Sequence, residues 1–158
     1  MDGNSELPMA LRAAYLALHR RSEAQFGKVG VTADQFVLLA TLARGDSLTQ
    51  RELARRMPSD PSTVRAMLVL LEKQGLVRRD AHPSDSRART AALTAAGKRK
   101  FEQAFAAGES IRDQMIETLQ TGDIALLVKL LTQVAESLNS EFASVARFDS
   151  KVAEEEES

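Results

Sequence analysis

Apolar residues recur every three or four positions along most of the chain, and strand-like alternation is rare, so the pattern predicts a mainly α protein. Over residues 7–26, Leu11, Ala14, Tyr15, Leu18 and Ala24 follow helical spacing until Gly27 and Gly30 break it. Thr32-Ala33-Asp34-Gln35 then fits a capping box, in which the threonine hydroxyl accepts from an unpaired amide and the glutamine returns the bond. The helix it opens is expected to bury Phe36, Leu39, Ala40 and Ala43 and to stop at Gly45. Thr49-Gln50-Arg51-Glu52 is a second box, opening a short helix with Leu53, Ala54 and Met57 that Pro58 ends. Asp60 is a strong N-cap and Pro61 suits a first helical turn, where its missing amide hydrogen costs nothing. The helix that follows buries Val64, Met67, Leu68 and Leu71, and its other side shows Ser62, Thr63, Arg65 and Ala66 at the exposed N-terminal end. Gly75 fits a left-handed residue just past the helix, with Leu76 as the apolar contact that often accompanies it.

Two helices joined by a tight turn form a helix-turn-helix, whose second helix can enter a major groove N-terminus first. Residues 76–79 and 90–93 are expected to pair as short strands around a polar connector, 80–89, that holds Pro83, two Asp, two Ser and two Arg. Its length suits a protruding wing. Thr94 then caps one long helix over residues 95–119, carrying Phe101, Phe105, Ile111, Met115 and Leu119. After a turn at Thr121-Gly122-Asp123, a last helix over 124–148 carries Leu127, Val128, Leu131, Val134, Ala135, Leu138, Phe142 and Val145 on one stripe. The Glu154 to Glu157 run predicts a disordered acidic tail over 149–158.

The long flanking helices carry apolar stripes that a small central core cannot cover. A monomeric bundle satisfies the periodicity as well as a dimer does, but a DNA reader in the middle favours twofold symmetry. The expected organisation is an N-terminal dimerisation helix (1–31), a winged helix-turn-helix (32–100) and C-terminal dimerisation helices (101–148, the long helix starting near 95).

Charge sharpens this picture. The net charge of −1 conceals segregation: residues 49–100 hold twelve basic and five acidic side chains, and residues 101–158 hold four and twelve. A basic segment inside an otherwise acidic chain is the footprint of a polyanion contact, although a solvated charged face produces the same count. Lys98, Arg99 and Lys100 sit in a first helical turn, where the macrodipole disfavours cations, and phosphate attraction is one reason for them. Arg78 and Arg79 suit either strand-edge protection or phosphate contact, and His82 reads as a loop residue.

Other chemistries are excluded or unsupported. With no cysteine there is no disulfide, thiolate nucleophile or cysteine-based zinc site, and two histidines are too few for most metal cages. No Gly-rich phosphate loop, metal motif or nucleophile elbow is present, so no catalytic residue, metal or cofactor is expected. No apolar run approaches the roughly 18 residues of a membrane span, and the first thirty residues lack the features of a signal peptide, so the cytoplasm is the expected compartment. A helical interaction or structural dimer without sequence-specific DNA binding explains the long amphipathic helices, but neither the wing nor the basic middle.

Leu53-Ala54, Ser62-Thr63-Val64, the run Leu71-Glu72-Lys73-Gln74-Gly75-Leu76-Val77-Arg78-Arg79, and Asp85-Ser86-Arg87 followed by Leu93-Thr94-Ala95-Ala96-Gly97 together resemble the signature of the MarR (multiple antibiotic resistance regulator) family, over roughly residues 7–148. The resemblance implies a homodimeric winged helix-turn-helix regulator, usually a repressor released from a pseudo-palindromic operator by a small phenolic or aromatic-acid ligand. By the same resemblance Ser62, Thr63, Arg65 and Ala66 face the major groove, Arg78 and Arg79 approach phosphates, and Arg87 enters the minor groove. Asp85 either orients the wing arginine or holds a salt bridge within the DNA-binding lobe. Many members carry a second arginine directly before the wing-tip one; Ser86 stands there, with Arg89 nearby to replace the charge. Arg12, Tyr15 and His19 fall on one stripe of the first helix and can converge on an aromatic carboxylate, with Phe36 and Leu39 as apolar walls. Surface exposure and interface packing account for the same three residues equally well.

Overall fold

The computed structural model describes residues 2–45 and 47–138. Helix α1 (Gly3–Gly27) starts four residues before the apolar pattern does, because the Asp2 carboxylate accepts from the Ser5 N–H at 3.1 Å and caps it. Helix α2 (Ala33–Gly45) follows a turn in which Gly30 takes φ +77°, and the Thr32–Gln35 box closes with both bonds at 3.1 Å. Strand β1 (Leu48–Thr49) leads into α3 (Gln50–Arg56), and α4 (Pro61–Lys73) runs to the left-handed Gly75. Strands β2 (Val77–Ala81) and β3 (Arg89–Leu93) form the wing hairpin, and α5 (Ala95–Ala107), α6 (Glu109–Thr118) and α7 (Thr121–Leu138) complete the described chain.

The sheet is antiparallel in the order β1-β3-β2, with Leu48 opposite Ala91 and Val77 opposite Leu93. Strand β1 escapes the periodicity because two residues cannot show alternation; only pairing with β3, some forty residues away, makes it a strand. The core gathers Leu38, Leu39 and Leu42 of α2, Leu53 and Met57 at α3, Val64, Leu68 and Leu71 of α4, and Val77, Ala91 and Leu93 of the sheet. The buried face of α2 therefore differs from the expected one: Ala33, Gln35, Leu38, Leu39 and Leu42 are buried, Phe36 is half-buried and Ala43 is exposed. Packed against α1, α5 and β3 at once, α2 buries more of its circumference than a single amphipathic stripe.

Thr94 joins two elements. Its hydroxyl accepts from the Gly97 N–H at 3.0 Å, capping α5, and donates to the Gly75 carbonyl at 2.6 Å. Gly97 lies so close to the Leu76 carbonyl oxygen that a Cβ there would stand 2.0 Å away, so no larger residue fits without moving backbone. The Leu-Thr-x-x-Gly pattern is thus a clasp between the end of α4 and the start of α5.

The helix expected over 95–119 is two helices. Gly108 separates α5 from α6; it is buried beneath Phe26 of α1, and a Cβ would meet that ring at 3.1 Å. Phe26 also begins a row of rings, Phe26–Phe36–Phe101–Phe105, with centroids 4.3, 5.9 and 5.8 Å apart. Arg112 lies over the Phe105 ring at 3.9 Å and donates to the Phe105 carbonyl, satisfying an acceptor at the end of α5.

Helix α7 begins at Thr121, so the expected turn is its first turn. None of its residues is buried; Leu126, Leu127, Val128, Leu130 and Leu131 are 41–52% exposed. Along α1, Leu11 and Leu16 are half-buried, but Leu7, Met9, Tyr15 and Leu18 are exposed, and only Ser22 and Phe26 are buried. The expected continuation to residue 148 and the acidic tail lie outside the described residues. Among the described residues no helix is long and apolar enough to cross a membrane.

Candidate nucleic-acid interface

Both helices of the helix-turn-helix begin with complete caps. The Thr49 hydroxyl accepts from the Glu52 N–H at 3.1 Å, and the Glu52 carboxylate accepts from the Thr49 N–H at 2.7 Å. That backbone bond, chiefly, holds the Glu52 carboxyl below its ordinary value. At α4 the Asp60 carboxylate takes three donors: the Ser62 hydroxyl at 2.5 Å, the Thr63 hydroxyl at 2.7 Å and the Thr63 N–H at 2.9 Å. These bonds, the Ser62 hydroxyl first, hold Asp60 well below the usual carboxylate range. Ser62, Thr63, Arg65 and Ala66 are all exposed at this end of α4. With both hydroxyl protons committed to Asp60, Ser62 and Thr63 present lone pairs outward, which suits acceptance from cytosine N4 or adenine N6.

The wing loop, 82–88, is wound on its own side chains. His82 Nδ1 accepts from the Ser84 and Asp85 N–H groups, each at 3.1 Å, which leaves the ring proton on Nε2. Asp85 accepts from the main-chain N–H of Arg87 at 3.0 Å, so it shapes the wing through the backbone. His82 is therefore a builder of the wing rather than a mere loop residue. Arg78 pairs with Asp80 at 3.0 Å on the open surface, and Arg79 pairs with Glu72 at 2.8 Å, tying β2 to the end of α4.

Between α4 and the wing lies a concavity of about 360 Å³ whose lining includes Gln50, Arg51, Arg65, Arg79, Arg87 and Arg89. Five guanidiniums around one hollow, of which Glu72 compensates Arg79, make a strongly cationic groove between the two elements expected to contact DNA. Arg51 and Gln50 were not singled out by the sequence pattern. The available signal is that Arg51 stands in the first turn of α3, where the macrodipole disfavours a cation. Lys100 lies in the second turn of α5, not the first, and has a different role: its ammonium donates to the Val29 carbonyl at 3.0 Å and ties α5 to the α1–α2 turn. Lys98 and Arg99 are exposed.

The effector candidates do not form one cluster within the chain. Tyr15 and His19 stack on the outward length of α1, centroids 5.7 Å apart, and Arg12 is exposed one turn before them. Phe36 belongs to the aromatic row, and Leu39 is fully buried in the core, closed to any ligand. Leu39 is therefore corrected from pocket wall to core residue, because α2 turns it inward.

Comparison with known proteins fits this geometry. Residues 31–88, from the start of α2 through the wing, match the model of the MarR family. The HTH-type transcriptional repressor MdtR of Bacillus subtilis is 27% identical over 87% of this chain and 88% of its own length. A cysteine-to-serine mutant of MarR from E. coli, solved in complex with operator DNA, superposes with a TM-score of 0.75 at 25% identity, covering 85% of this chain and 99% of that one. The organohalide-sensing regulator RdhR, solved with 2,4-dichlorophenol bound, shares the fold with a TM-score of 0.75 at 20% identity, over 87% of this chain and 82% of its own. The winged helix-turn-helix of this chain thus matches the MarR family model, and over most of its length the chain resembles DNA-binding transcription regulators of that family.

Proposed function

We propose that the protein is a cytoplasmic homodimeric repressor that binds a pseudo-palindromic operator and is released by a small aromatic carboxylate or phenol. The observation that carries the reading is the five-arginine hollow between α4 and the wing, beside an α4 tip whose exposed residues are free to meet base edges. In this reading α4 enters the major groove with Arg65 and Ala66, Arg87 enters the minor groove, and Arg78, Arg79 and Arg89 approach the backbone. Residues 32–100 are the DNA-binding unit, and residues 1–31 and 101–148 form the dimer. The uncovered stripes of α1 and α7 support that division, and the repressor names of MdtR and YetL support the direction of control.

The effector class draws support from the 2,4-dichlorophenol bound by RdhR. Arg12 and His19 supply charge and a hydrogen bond, Tyr15 a stacking face, and Phe36 an apolar boundary. To release DNA, the ligand must bind the non-DNA-binding arrangement more tightly than the DNA-binding one; equal affinity for both shifts nothing. A gel shift against the DNA flanking the protein's own gene, with and without a panel of aromatic acids and phenols, tests the whole reading. A shifted band that one class of compound dissolves is the expected result; no band at any salt concentration overturns it.

A further inference from the structure

Helix α4 carries two large apolar side chains that the fold does not use. Val69 and Leu70 are 48% and 42% exposed, whereas Val64, Leu68 and Leu71 of the same helix are at most 1% exposed. Ser62, Ala66, Val69 and Lys73 advance along the side opposite that buried stripe, with Leu70 beside them. The outward face thus runs from hydroxyl acceptors to a methyl, an isopropyl and an isobutyl group, then to an ammonium.

The occupant of this patch follows from its border. The hollow on its flank is lined by Arg51, Arg65, Arg87 and Arg89, so the complementary partner is a polyanion rather than an apolar protein surface. A major groove displays one apolar feature, the C5-methyl group of thymine. We propose that Val69 and Leu70, together with Ala66, are specificity-determining residues that read thymine methyl groups. The proposal rests on α4 being the helix that enters the groove. From Ala66 to Leu70 the helix rises about 6 Å, close to two base-pair steps of about 3.4 Å. The patch therefore covers two adjacent A·T pairs in each half-site, further along the groove than the bases reached by Arg65.

The test starts from duplexes that the full-length protein selects from a random library. Each thymine of the selected site is replaced in turn by deoxyuridine, which keeps the base pair and removes only the methyl group, and affinity is read by fluorescence anisotropy. Wild type should lose about fourfold for each methyl removed at two adjacent positions per half-site and nothing elsewhere. The V69S/L70S variant, checked for folding by its melting curve, should bind the thymine and deoxyuridine duplexes equally. Failure of the library to yield any consensus would overturn the DNA reading itself. A clear consensus that is insensitive to deoxyuridine everywhere overturns methyl reading and leaves DNA binding intact. Undiminished sensitivity in V69S/L70S assigns the methyl contact to other residues and overturns this assignment.

Discussion

Helices α4 and α7 are both amphipathic, yet they end in opposite states. The stripe of α4 is closed off by α2, α3 and the sheet, and what it leaves outside is a short patch beside five arginines. Helix α7 has no buried residue, and its leucines face outward over at least three turns, with Lys129 the single cation among its described residues. An apolar stripe shows that something covers a helix, and its surroundings show what. For α4 the cover is its own chain and, in the function proposed above, DNA. For α7 it is, in the function proposed above, a second copy.

The comparison breaks most visibly at α7. L127E/L131E should convert a micromolar dimer to a monomer in sedimentation and cost about a hundredfold or more in operator affinity, since paired half-sites can no longer be held together. A wild-type chain that sediments as a monomer would end the dimer proposal at once. Next in size is the clasp that lets α4 sit still. Gly97→Ala drives a Cβ into the Leu76 carbonyl and should cost about 3 kcal/mol in thermal or urea unfolding. Gly122→Ala, with open space around it at the start of α7, should be close to neutral and serves as its control.

Arg65→Ala should relax base preference at one position per half-site by about 1–3 kcal/mol, whereas Arg87→Ala should weaken binding mainly at A·T-rich minor-groove flanks. Binding-site selection with both variants separates them, and unchanged preference in both would remove these residues from the interface. The smallest effect concerns acid. Glu52 and Asp60 both sit below their ordinary values of 4.5 and 3.8, so each stabilises the fold above that value, and the contribution disappears as pH falls through the lowered one. Melting temperature followed from pH 7 towards pH 3 should fall less steeply in Glu52→Gln than in wild type. Parallel curves would show that the cap adds no acid-sensitive stability.

Features settled within three or four residues were legible in the chain. The boxes at Thr32 and Thr49, the Asp60-Pro61 start, the Gly75 stop and the Thr94 cap all sit where the sequence puts them. The candidate site was legible in its outline: Arg65, Arg87 and Arg89 do line one hollow. Arg51 joined them only because β1, which leads directly into α3, pairs with β3 of the wing, Thr49 opposite Thr90. The hydroxyl bonds to Asp60, which turn two possible donors into acceptors, needed side-chain geometry to be seen.

By itself, then, the sequence determined the order of helices, their caps, the wing and the basic middle, because helix starts, stops and charge runs are local properties of the chain. Tertiary structure decided everything that depends on a distant neighbour. Strand β1 exists because β3 pairs with it, and Gly108, between α5 and α6, has no room for a side chain because Phe26 occupies that place. Leu39 faces the core because α2 is packed on several sides, and Lys100 binds Val29 rather than standing free. Periodicity measures which side of a helix is apolar; only the arrangement of neighbours determines how much of that side, and which other side, leaves water.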